Sequence, residues 1–431
     1  MDRSFGPRAR RAGAIVLLAA TVTAIAVPRS VASPSTERAR PSAQPAQPLG
    51  APYRAHLSGR APGGVPPRTQ SAAEAGTGAT VAGRSMRVAA GGTSRLPMKD
   101  LDIQPGGLGR AEWNRLLDLA QQAGVSVISL DVNWASYEPR RAGAPGEFSE
   151  LSSFASDVRG RGLLLRFQLV GFPQWARAPG DPSAASQPLR APASPAELAR
   201  WSRWVARLVS RFGSAVSYYE IWNEENSSAF WAQGANPTEY AKLLEASYVA
   251  AKSVDPAAVV MFGGMSRNDI GFLHATYLST AKLFPAAAVA DHHFFDILGV
   301  HPYAGSDSPA AENPNWVYRD RFGEMNGNFL GFRGLHALMA RFGEGYKHIY
   351  IGEYGLSTTP WNDFPPVSPA TQAEGLALAY RLAARAGYVE GFSWYDFFAT
   401  PWNSAGFSLL KGSYPNWRPT PAYRALANIS G

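Results

Sequence analysis

Residues 194–222, SPAELARWSRWVARLVSRFGSAVSYYEIW, encode one helix followed by one strand. Ser194 and Glu197 match a capping box, and Pro195 occupies the first helical position, so a helix is predicted to begin there. Apolar residues then recur at helical spacing as far as Phe212, and Gly213 is placed to end the helix at its C′ position. The apolar run that follows, up to Trp222, predicts a buried strand.

The same helix and strand unit recurs through the rest of the chain. Further helix starts are predicted at Asn236-Pro237 and Ser368-Pro369. Together with an uncertain first strand at 94–103, the strand-like runs number eight: 125–134, 162–170, 216–222, 258–263, 295–301, 348–352 and 391–394 complete the set. This alternation predicts an α/β protein with a parallel sheet closed into a (β/α)8 TIM barrel. An open doubly wound sheet is the alternative, although no GxGxxG or GxxxxGK[ST] motif follows the first strand.

The amino-terminal quarter has a different composition. Four arginines between Arg3 and Arg11 precede an apolar run, 12–27, and small residues around Ala32, which predicts a signal peptide over 1–32. An uncleaved membrane anchor is the alternative, although the apolar run is short for a membrane span. The sequence leaves open whether export follows the general or the twin-arginine route. Residues 33–92 are rich in Pro, Ala, Gly and Ser and predict a disordered linker. Residues 93–431 are the expected catalytic domain of a secreted, extracellular protein.

The positive charge of the chain lies in that amino-terminal part. Residues 1–100 hold 14 Lys and Arg against 4 Asp and Glu, whereas the remainder holds 27 against 29. A slightly acidic body does not favour nucleic acid as a partner, nor an adhesin that works by positive charge. The body also lacks Cys. We therefore expect a monomeric globular domain with no nucleic-acid partner and no stable membrane insertion after cleavage.

Two glutamates are placed at predicted strand ends. Glu224 follows the fourth strand in YYEIWNEEN (218–226), and Glu353 lies in the seventh in IYIGEYG (349–355). Catalytic groups of such barrels come from the carboxyl ends of strands. Glycosidic cleavage needs two carboxyl groups, one to protonate the leaving oxygen and one to stabilise or trap the sugar cation. The pair therefore indicates a glycosidase, although one such Glu alone is more often a surface residue.

At these positions the chain resembles the retaining glycoside hydrolases of clan A, most closely the bacterial family 39 and family 5 type proteins described as cellulase-like or exopolysaccharide hydrolases. The resemblance covers about residues 95–431 and rests on Trp222-Asn223-Glu224, His301-Pro302-Tyr303, Gly352-Glu353-Tyr354-Gly355, Phe392-Ser393-Trp394, Pro173-Gln174-Trp175-Ala176 and the closing segment 419–426. It implies a retaining β-glycosidase that acts by double displacement on an oligo- or polysaccharide.

The resemblance also implies roles for individual residues. Glu224 would be the general acid/base and Glu353 the nucleophile, while Asn223 would hydrogen-bond the 2-hydroxyl of the sugar. Tyr303 would donate to Glu353, His301 would line the same wall, and Trp394 would form the floor under the ring. Trp134 and Trp175 are further expected sugar-binding residues, and Trp231 and Trp402 also lie in or beside the predicted loops. For each tryptophan, core packing is the competing interpretation.

The sequence also suggests where Glu225 and Arg166 lie. Strict alternation along the fourth strand would put Glu220, Trp222 and Glu224 on one face, which leaves Glu225 as a loop residue that possibly packs against a helix start. Many clan members carry an Arg in strand two, which is absent here, and Arg166 in strand three is the substitute we consider. If Arg166 points into the barrel, Asp131 or Glu220 is its expected partner. Arg166 would then carry excess positive charge toward Glu353 and depress the pKa of that carboxyl group. A purely structural ion pair is the alternative.

The proposed chemistry requires no cofactor and no metal. Asp291-His292-His293 does not have the usual spacing of a zinc site and lies before the sixth strand. Two alternatives remain open: an α-L-arabinofuranosidase of the same clan, and a glycan-binding barrel without hydrolytic activity. The sequence does not identify the sugar, the linkage, or whether cleavage is endo or exo.

Overall fold

The structure, a computed structural model, describes residues 96–140, 148–179, 189–290, 292–361, 364–399 and 406–430. The predicted signal peptide and linker, residues 1–92, lie outside the described residues. No helix in the described ranges is both long enough and apolar enough to span a membrane.

Eight parallel strands form a closed barrel, which confirms the (β/α)8 prediction. The strands follow the order β1-β10-β9-β6-β5-β4-β3-β2 around the barrel. Their bounds are β1 (Met98–Asp102), β2 (Val127–Asn133), β3 (Leu164–Val170), β4 (Tyr218–Asn223), β5 (Val260–Ser266), β6 (Ile297–His301), β9 (His348–Tyr354) and β10 (Val389–Trp394). Two short antiparallel hairpins project from the loops, β7 (Val317–Arg319) with β8 (Glu324–Asn326) and β11 (Leu410–Lys411) with β12 (Arg418–Pro419).

Helices lie between the barrel strands and cover them. They are α1 (Arg110–Gln122), α2 (Trp134–Tyr137), α3 (Ser149–Arg159), α4 (Pro195–Phe212), α5 (Pro237–Val254), α6 (Ile270–Leu283), α7 (Ala287–Ala290), α8 (Phe332–Arg341), α9 (Pro369–Ala386) and α10 (Pro421–Asn428). Ser194 and Glu197 form the predicted capping box at the start of α4. The side chains of Asn236 and Ser368 cap α5 and α9, so all three predicted helix starts are confirmed.

The interior of the barrel is apolar at the base and charged above it. Tyr218, Met261, Ile297 and Tyr350 form a buried apolar cluster. The next layer toward the carboxyl ends contains Arg166, which confirms the predicted inward direction of this side chain. The barrel mouth, the end where the strands have their carboxyl termini, lies beyond this charged layer.

The first and last segments of the described domain close the barrel together. Met98 in β1 pairs with Gly391 in β10. Lys99 Nζ donates to the carbonyl of Leu426 in α10 at 2.7 Å, and the Tyr423 hydroxyl donates to the carbonyl of Leu119 in α1 at 2.7 Å. The last helix therefore holds the first strand and first helix in place.

Candidate active site

Glu224 and Glu353 converge on one histidine at the barrel mouth. His301 Nδ1 lies 3.3 Å from Glu224 Oε1 and 3.7 Å from Glu353 Oε2. These two oxygens are therefore at most about 7 Å apart, which is short of the 9 Å that would favour inversion and includes the predicted 5 Å. Both carboxyl groups lie at the same end of the barrel, and the glycosidase hypothesis requires this.

Two glycines make room for His301. A Cβ at Gly264 or Gly352 would collide with the imidazole, which lies against both backbones. The side chain is fully buried, and this burial lowers its pKa, so the ring is neutral at pH 7. His301 therefore holds the two carboxyl groups together without adding a positive charge.

Tyr303 distinguishes the two glutamates. Its hydroxyl donates to Glu353 Oε2 at 3.0 Å, which confirms the predicted hydrogen bond. Burial raises the pKa of Tyr303 well above its ordinary value, so the hydroxyl keeps its proton. A hydrogen bond donated to a carboxylate favours the ionised form. Glu353 is also the more open of the two, with 22% of its side chain exposed against 5% for Glu224.

The two carboxyl groups have similar proton affinities. Burial raises the pKa of Glu224 to about 7 and that of Glu353 to about 7. The expected difference, a raised pKa for the acid and an ordinary pKa for the nucleophile, is therefore absent. Two interacting groups with such values share about one proton at neutral pH. The two values do not separate the groups, and the hydrogen bond from Tyr303 favours the ionised form at Glu353 alone.

The backbone at the end of β4 departs from the regular pleat. Trp222 and Glu224 have left-handed φ angles of 74° and 43°. Trp222 consequently packs outside the barrel against Trp201 and Trp231. The prediction that it shares a face with Glu220 is wrong, because alternation assumes extended φ angles throughout. Left-handed Glu224 nevertheless brings its carboxyl group to the mouth.

Glu225 is a loop residue, as predicted, and it is deeply buried. It lies in the turn after β4 with 0% exposure and packs against Gly263. No side chain donates to either carboxyl oxygen. Burial raises its pKa well above the ordinary value, and neighbouring carboxyl groups raise it further. The helix start near it is that of α6, which Asp269 caps, and the suggested packing of Glu225 against a helix start stays a prediction.

Asn223 lies at the mouth beside Glu224 but is largely buried. Its Oδ1 accepts a hydrogen bond from Gln168 Nε2 at 3.0 Å. The pair joins the ends of β3 and β4, and it fixes the orientation of the Asn223 amide with its nitrogen free to donate. This placement is compatible with the implied contact to a sugar hydroxyl.

Most of the predicted sugar-stacking tryptophans are core residues. Trp394 is 0% exposed and packs edge-on against Tyr354, and Trp134 is 1% exposed and stacks on Trp204 at 5.1 Å. Trp231 is buried as well. Trp175 is partly buried, with its Nε1 donating to the carbonyl of Glu138 at 2.6 Å. The prediction that Trp134 and Trp394 line the sugar site is therefore wrong for the structure described, because neither ring has an open face. Trp402 lies outside the described residues.

A different set of aromatic rings borders the mouth. Tyr303, Trp361, Phe364 and Trp316 follow one another at ring-centroid distances of 5.6, 5.8 and 5.4 Å. We call these four rings the aromatic strip. Its members beyond Tyr303 belong to the loops after β6 and β9, which are longer than ordinary connections. Sequence analysis did not select Trp316 or Trp361, although both are tryptophans in long mouth loops.

The opposite side of the mouth carries acidic residues. Asp102 ends β1 and Asp131 lies in β2, and Gln104 bridges them by donating to Asp102 at 2.9 Å and accepting from the Asp131 backbone N–H at 3.3 Å. Burial raises the pKa of Asp102 well above its ordinary value, and the neighbouring Asp131, which is exposed, raises it further. Asp102 and Gln104 were not identified from sequence.

Arg166 forms what we call the central cluster with Asp100 and Glu220. Its Nε donates to Asp100 Oδ2 at 2.9 Å, Nη1 pairs with Glu220, and Nη2 donates to the carbonyl of Gly352 at 3.2 Å. The predicted partner Glu220 is confirmed. Asp131 is not a partner, because the register places small Ser129 beside Arg166 and the guanidinium reaches past it to β1. Two carboxylates against one guanidinium also remove the expected excess positive charge.

A second buried cluster lies at the base of the barrel. Glu344 accepts from Lys347 Nζ at 2.7 Å and from the Tyr277 hydroxyl at 2.6 Å, and its other oxygen lies 2.8 Å from His293 Nδ1. We call these four residues the basal cluster. His292 instead contacts the Tyr346 hydroxyl, and Asp291 lies outside the described residues. In the described part of the chain, no group of three or more His, Asp or Glu side chains is arranged to hold a metal ion.

Comparison with known proteins supports the resemblance to clan A. No family model matches the chain. A β-xylosidase of Geobacillus stearothermophilus is 27% identical over 215 residues, which is 47% of this chain and 39% of that protein. The chain thus spans well under half the length of this curated relative.

Solved structures show the same fold. A family 39 glycoside hydrolase from the gut symbiont Bacteroides cellulosilyticus WH2 superposes with a TM-score of 0.58 at 21% identity, over 78% of this chain and 63% of that one. A GH39 β-xylosidase from Caulobacter crescentus gives 0.55 at 16% identity, over 79% and 72%. The chain is thus similar to family 39 enzymes, as its motifs predicted, and at these identities the structures show the shared fold alone.

Proposed function

We propose that this protein is a secreted retaining β-glycosidase that hydrolyses O-glycosidic bonds of an oligo- or polysaccharide. Glu224 is the general acid/base and Glu353 the nucleophile. The observation that carries the proposal is the convergence of both carboxyl groups on His301 at the barrel mouth, with the Tyr303 hydroxyl on one of them. The β-xylosidase named among the relatives makes aryl β-xylosides the first substrates to test.

In the first step, ionised Glu353 attacks the anomeric carbon while Glu224 gives its proton to the leaving oxygen. The glycosidic bond breaks, an ester bond to Glu353 forms, and the leaving group departs as an alcohol. The reactive state has the shared proton on Glu224 and Glu353 ionised, and the hydrogen bond that Tyr303 donates to Glu353 favours it.

In the second step, water attacks the ester. Glu353 has lost its negative charge in the intermediate, so Glu224 releases its proton more readily than in the free enzyme and can act as the base. It removes a proton from water as the new bond to the anomeric carbon forms and Glu353 leaves as a carboxylate. Asn223, beside Glu224, would hold the 2-hydroxyl during both steps.

Chemical rescue tests the assignment. Glu353→Ala should be inactive on aryl β-xylosides, and added azide should restore turnover to give the glycosyl azide of inverted configuration, because the small anion enters the vacated space. Exposed Glu374 on α9 supplies the control Glu374→Ala, which should keep full activity. A product azide of retained configuration, or an active Glu353→Ala, would contradict the proposal. A panel that includes aryl α-L-arabinofuranosides and polysaccharides separates the related activities from simple glycan binding.

Export rests on the sequence of residues 1–32. Expression of the full chain followed by fractionation should place a shortened protein in the medium. An intracellular protein that retains its amino-terminal segment would contradict this part of the proposal without affecting the catalytic part.

A further inference from the structure

Arg267 is a cation at the mouth without a carboxylate partner in the described part of the chain. It follows Ser266 at the end of β5, and its backbone N–H donates to the carbonyl of His301 at 3.0 Å. Its side chain is partly buried, and no described Asp or Glu oxygen lies within 4 Å of it. The hydrogen bond it makes to the Tyr318 hydroxyl is long, at 3.5 Å. Its N–H groups therefore have unused capacity to bind an anion.

The guanidinium is nevertheless fixed in place. It lies over the ring of Trp316, 5.4 Å from the centroid, and Trp316 is itself held by its Nε1 donating to Asp307 Oδ2 at 2.9 Å. The backbone of Arg267 and Asn268 is left-handed, with φ angles of 61° and 53°. Asn268 is anchored by donating to the carbonyls of Asn326 and Asn328. Such conformations persist only where the surroundings impose them.

The position of Arg267 defines which side of the site it faces. Arg267 follows β5, and Glu224 follows the neighbouring strand β4, with its backbone N–H donating to the carbonyl of Gly264 in β5 at 3.2 Å. From this place Arg267 lowers the pKa of Glu224, whereas Asp131 raises the pKa of Glu353. The mouth is therefore positive beside the acid/base and negative beside the nucleophile. Because Glu224 protonates the leaving oxygen, the part of the substrate nearest Arg267 belongs to the leaving group.

We propose that Arg267, backed by Trp316, binds the carboxylate of a uronic acid residue on the leaving-group side of the scissile bond. The planar guanidinium matches a carboxylate with two parallel hydrogen bonds, and stacking on an aromatic ring holds it ready for that contact. This inference rests on the proposed function and adds to it an acidic polysaccharide as the substrate class.

A matched pair of substrates isolates the contact. The 4-carboxyphenyl β-xyloside and its methyl ester differ in one negative charge on the leaving group. The ratio of their kcat/KM values should fall roughly tenfold to a hundredfold from the native protein to Arg267→Met, as expected for one hydrogen bond to a charged group. The intrinsic difference between the two phenols cancels when this ratio is compared between variants. Any general effect of the substitution on Glu224 cancels too.

Controls separate a specific contact from bulk charge. Arg267→Lys should keep part of the preference, and Arg319→Met, which removes an exposed arginine from the neighbouring hairpin, should keep all of it. The inference is overturned if the native protein and Arg267→Met give the same ratio and circular dichroism shows that both are folded. Hydrolysis of the methyl ester would still support the proposed function in that case.

If neither xyloside is cleaved, binding decides instead. Calorimetry would then compare a glucuronate-substituted xylo-oligosaccharide with the same compound after carboxyl reduction. The native protein should bind the acidic compound more tightly than the reduced one, and Arg267→Met should lose this preference. That result supports the inference even though the proposed function has failed for xylosides. Equal binding of the two compounds overturns it.

Discussion

The central and basal clusters are both buried groups of charges in one domain, and they are built differently. In the basal cluster, both carboxyl oxygens of Glu344 have hydrogen-bond partners. Lys347 also donates to the His292 carbonyl, and its Nζ lies 3.5 Å from the ring centre of Phe295. In the central cluster, one guanidinium serves two carboxylates, and one oxygen each of Asp100 and Glu220 has no partner in the described structure.

Unsatisfied buried oxygens are costly, so the central arrangement is not the most stable one available. What Arg166 gains is a contact with the carbonyl of Gly352, the residue directly before Glu353. The difference teaches that charge at the base of the barrel serves stability, whereas charge near the mouth also positions the nucleophile. We therefore infer that Arg166 is a positioning residue, and four substitutions test the contrast.

The largest effect is expected at the mouth itself. Glu353→Gln should fold normally and lose several orders of magnitude in kcat, because an amide cannot form the glycosyl ester. Steady-state kinetics on aryl glycosides and thermal unfolding measure the two properties separately. Hydrolysis by Glu353→Gln near the native rate would show that Glu353 is not the nucleophile.

Removal of the central cation should affect both stability and rate. Arg166→Met leaves Asp100 and Glu220 as unpaired buried carboxyl groups, so the free energy of unfolding should fall by roughly 3 to 5 kcal/mol. It should also lower kcat by loosening the strand that carries Glu353. The acidic limb of the kcat/KM profile should stay in place, because one of the two buried carboxyl groups left without Arg166 takes up a proton and the charge near Glu353 is unchanged. A limb displaced to higher pH would restore the view that Arg166 lowers the pKa of Glu353.

The matched substitution at the base should affect stability alone. Lys347→Met also removes a buried cation, and it should lower the free energy of unfolding by about 3 kcal/mol because Glu344 loses its counter-charge. At a temperature where the variant remains folded, kcat and KM should equal the native values. A fall in kcat as large as that of Arg166→Met would remove the distinction between the two clusters.

The smallest effect concerns Glu225, a third buried carboxyl group. Its folded-state pKa is raised, so the folded protein binds a proton that the unfolded chain releases above about pH 4.5, and native stability falls as pH rises. Glu225→Gln removes that dependence. The variant should gain at most about 1.4 kcal/mol of stability relative to the native protein between pH 5 and pH 6, measured by urea unfolding. A pH-independent difference would mean that Glu225 is ionised in the fold.

The sequence predicted features set by local patterns. The barrel strands follow from apolar runs, the helix starts follow from Ser194, Asn236 and Ser368, and the two glutamates follow from their motifs at strand ends. Glu220 was identified as a partner of Arg166 because strands adjacent in sequence are adjacent in this fold.

Features set by distant contacts or unusual backbone were missed. Asp100 reaches Arg166 across the barrel interior, past β2, which no strand-neighbour argument includes. The left-handed Trp222 breaks the alternation on which its predicted face depended. A tryptophan at a strand end can also turn outward into the helix layer, as Trp134 does, and residue type alone does not distinguish this from stacking on a sugar.

The closure of the barrel by its first and last segments has a consequence for biosynthesis. β1 is made first, yet its partner β10 and the helix α10 that binds Lys99 are made last. During translation, β1 has only β2 beside it until nearly 300 further residues have left the ribosome. Its other edge stays unpaired for that time, and pairing over so long a separation is slow. The ribosome-bound chain should therefore depend on holding chaperones until α10 emerges and completes the ring.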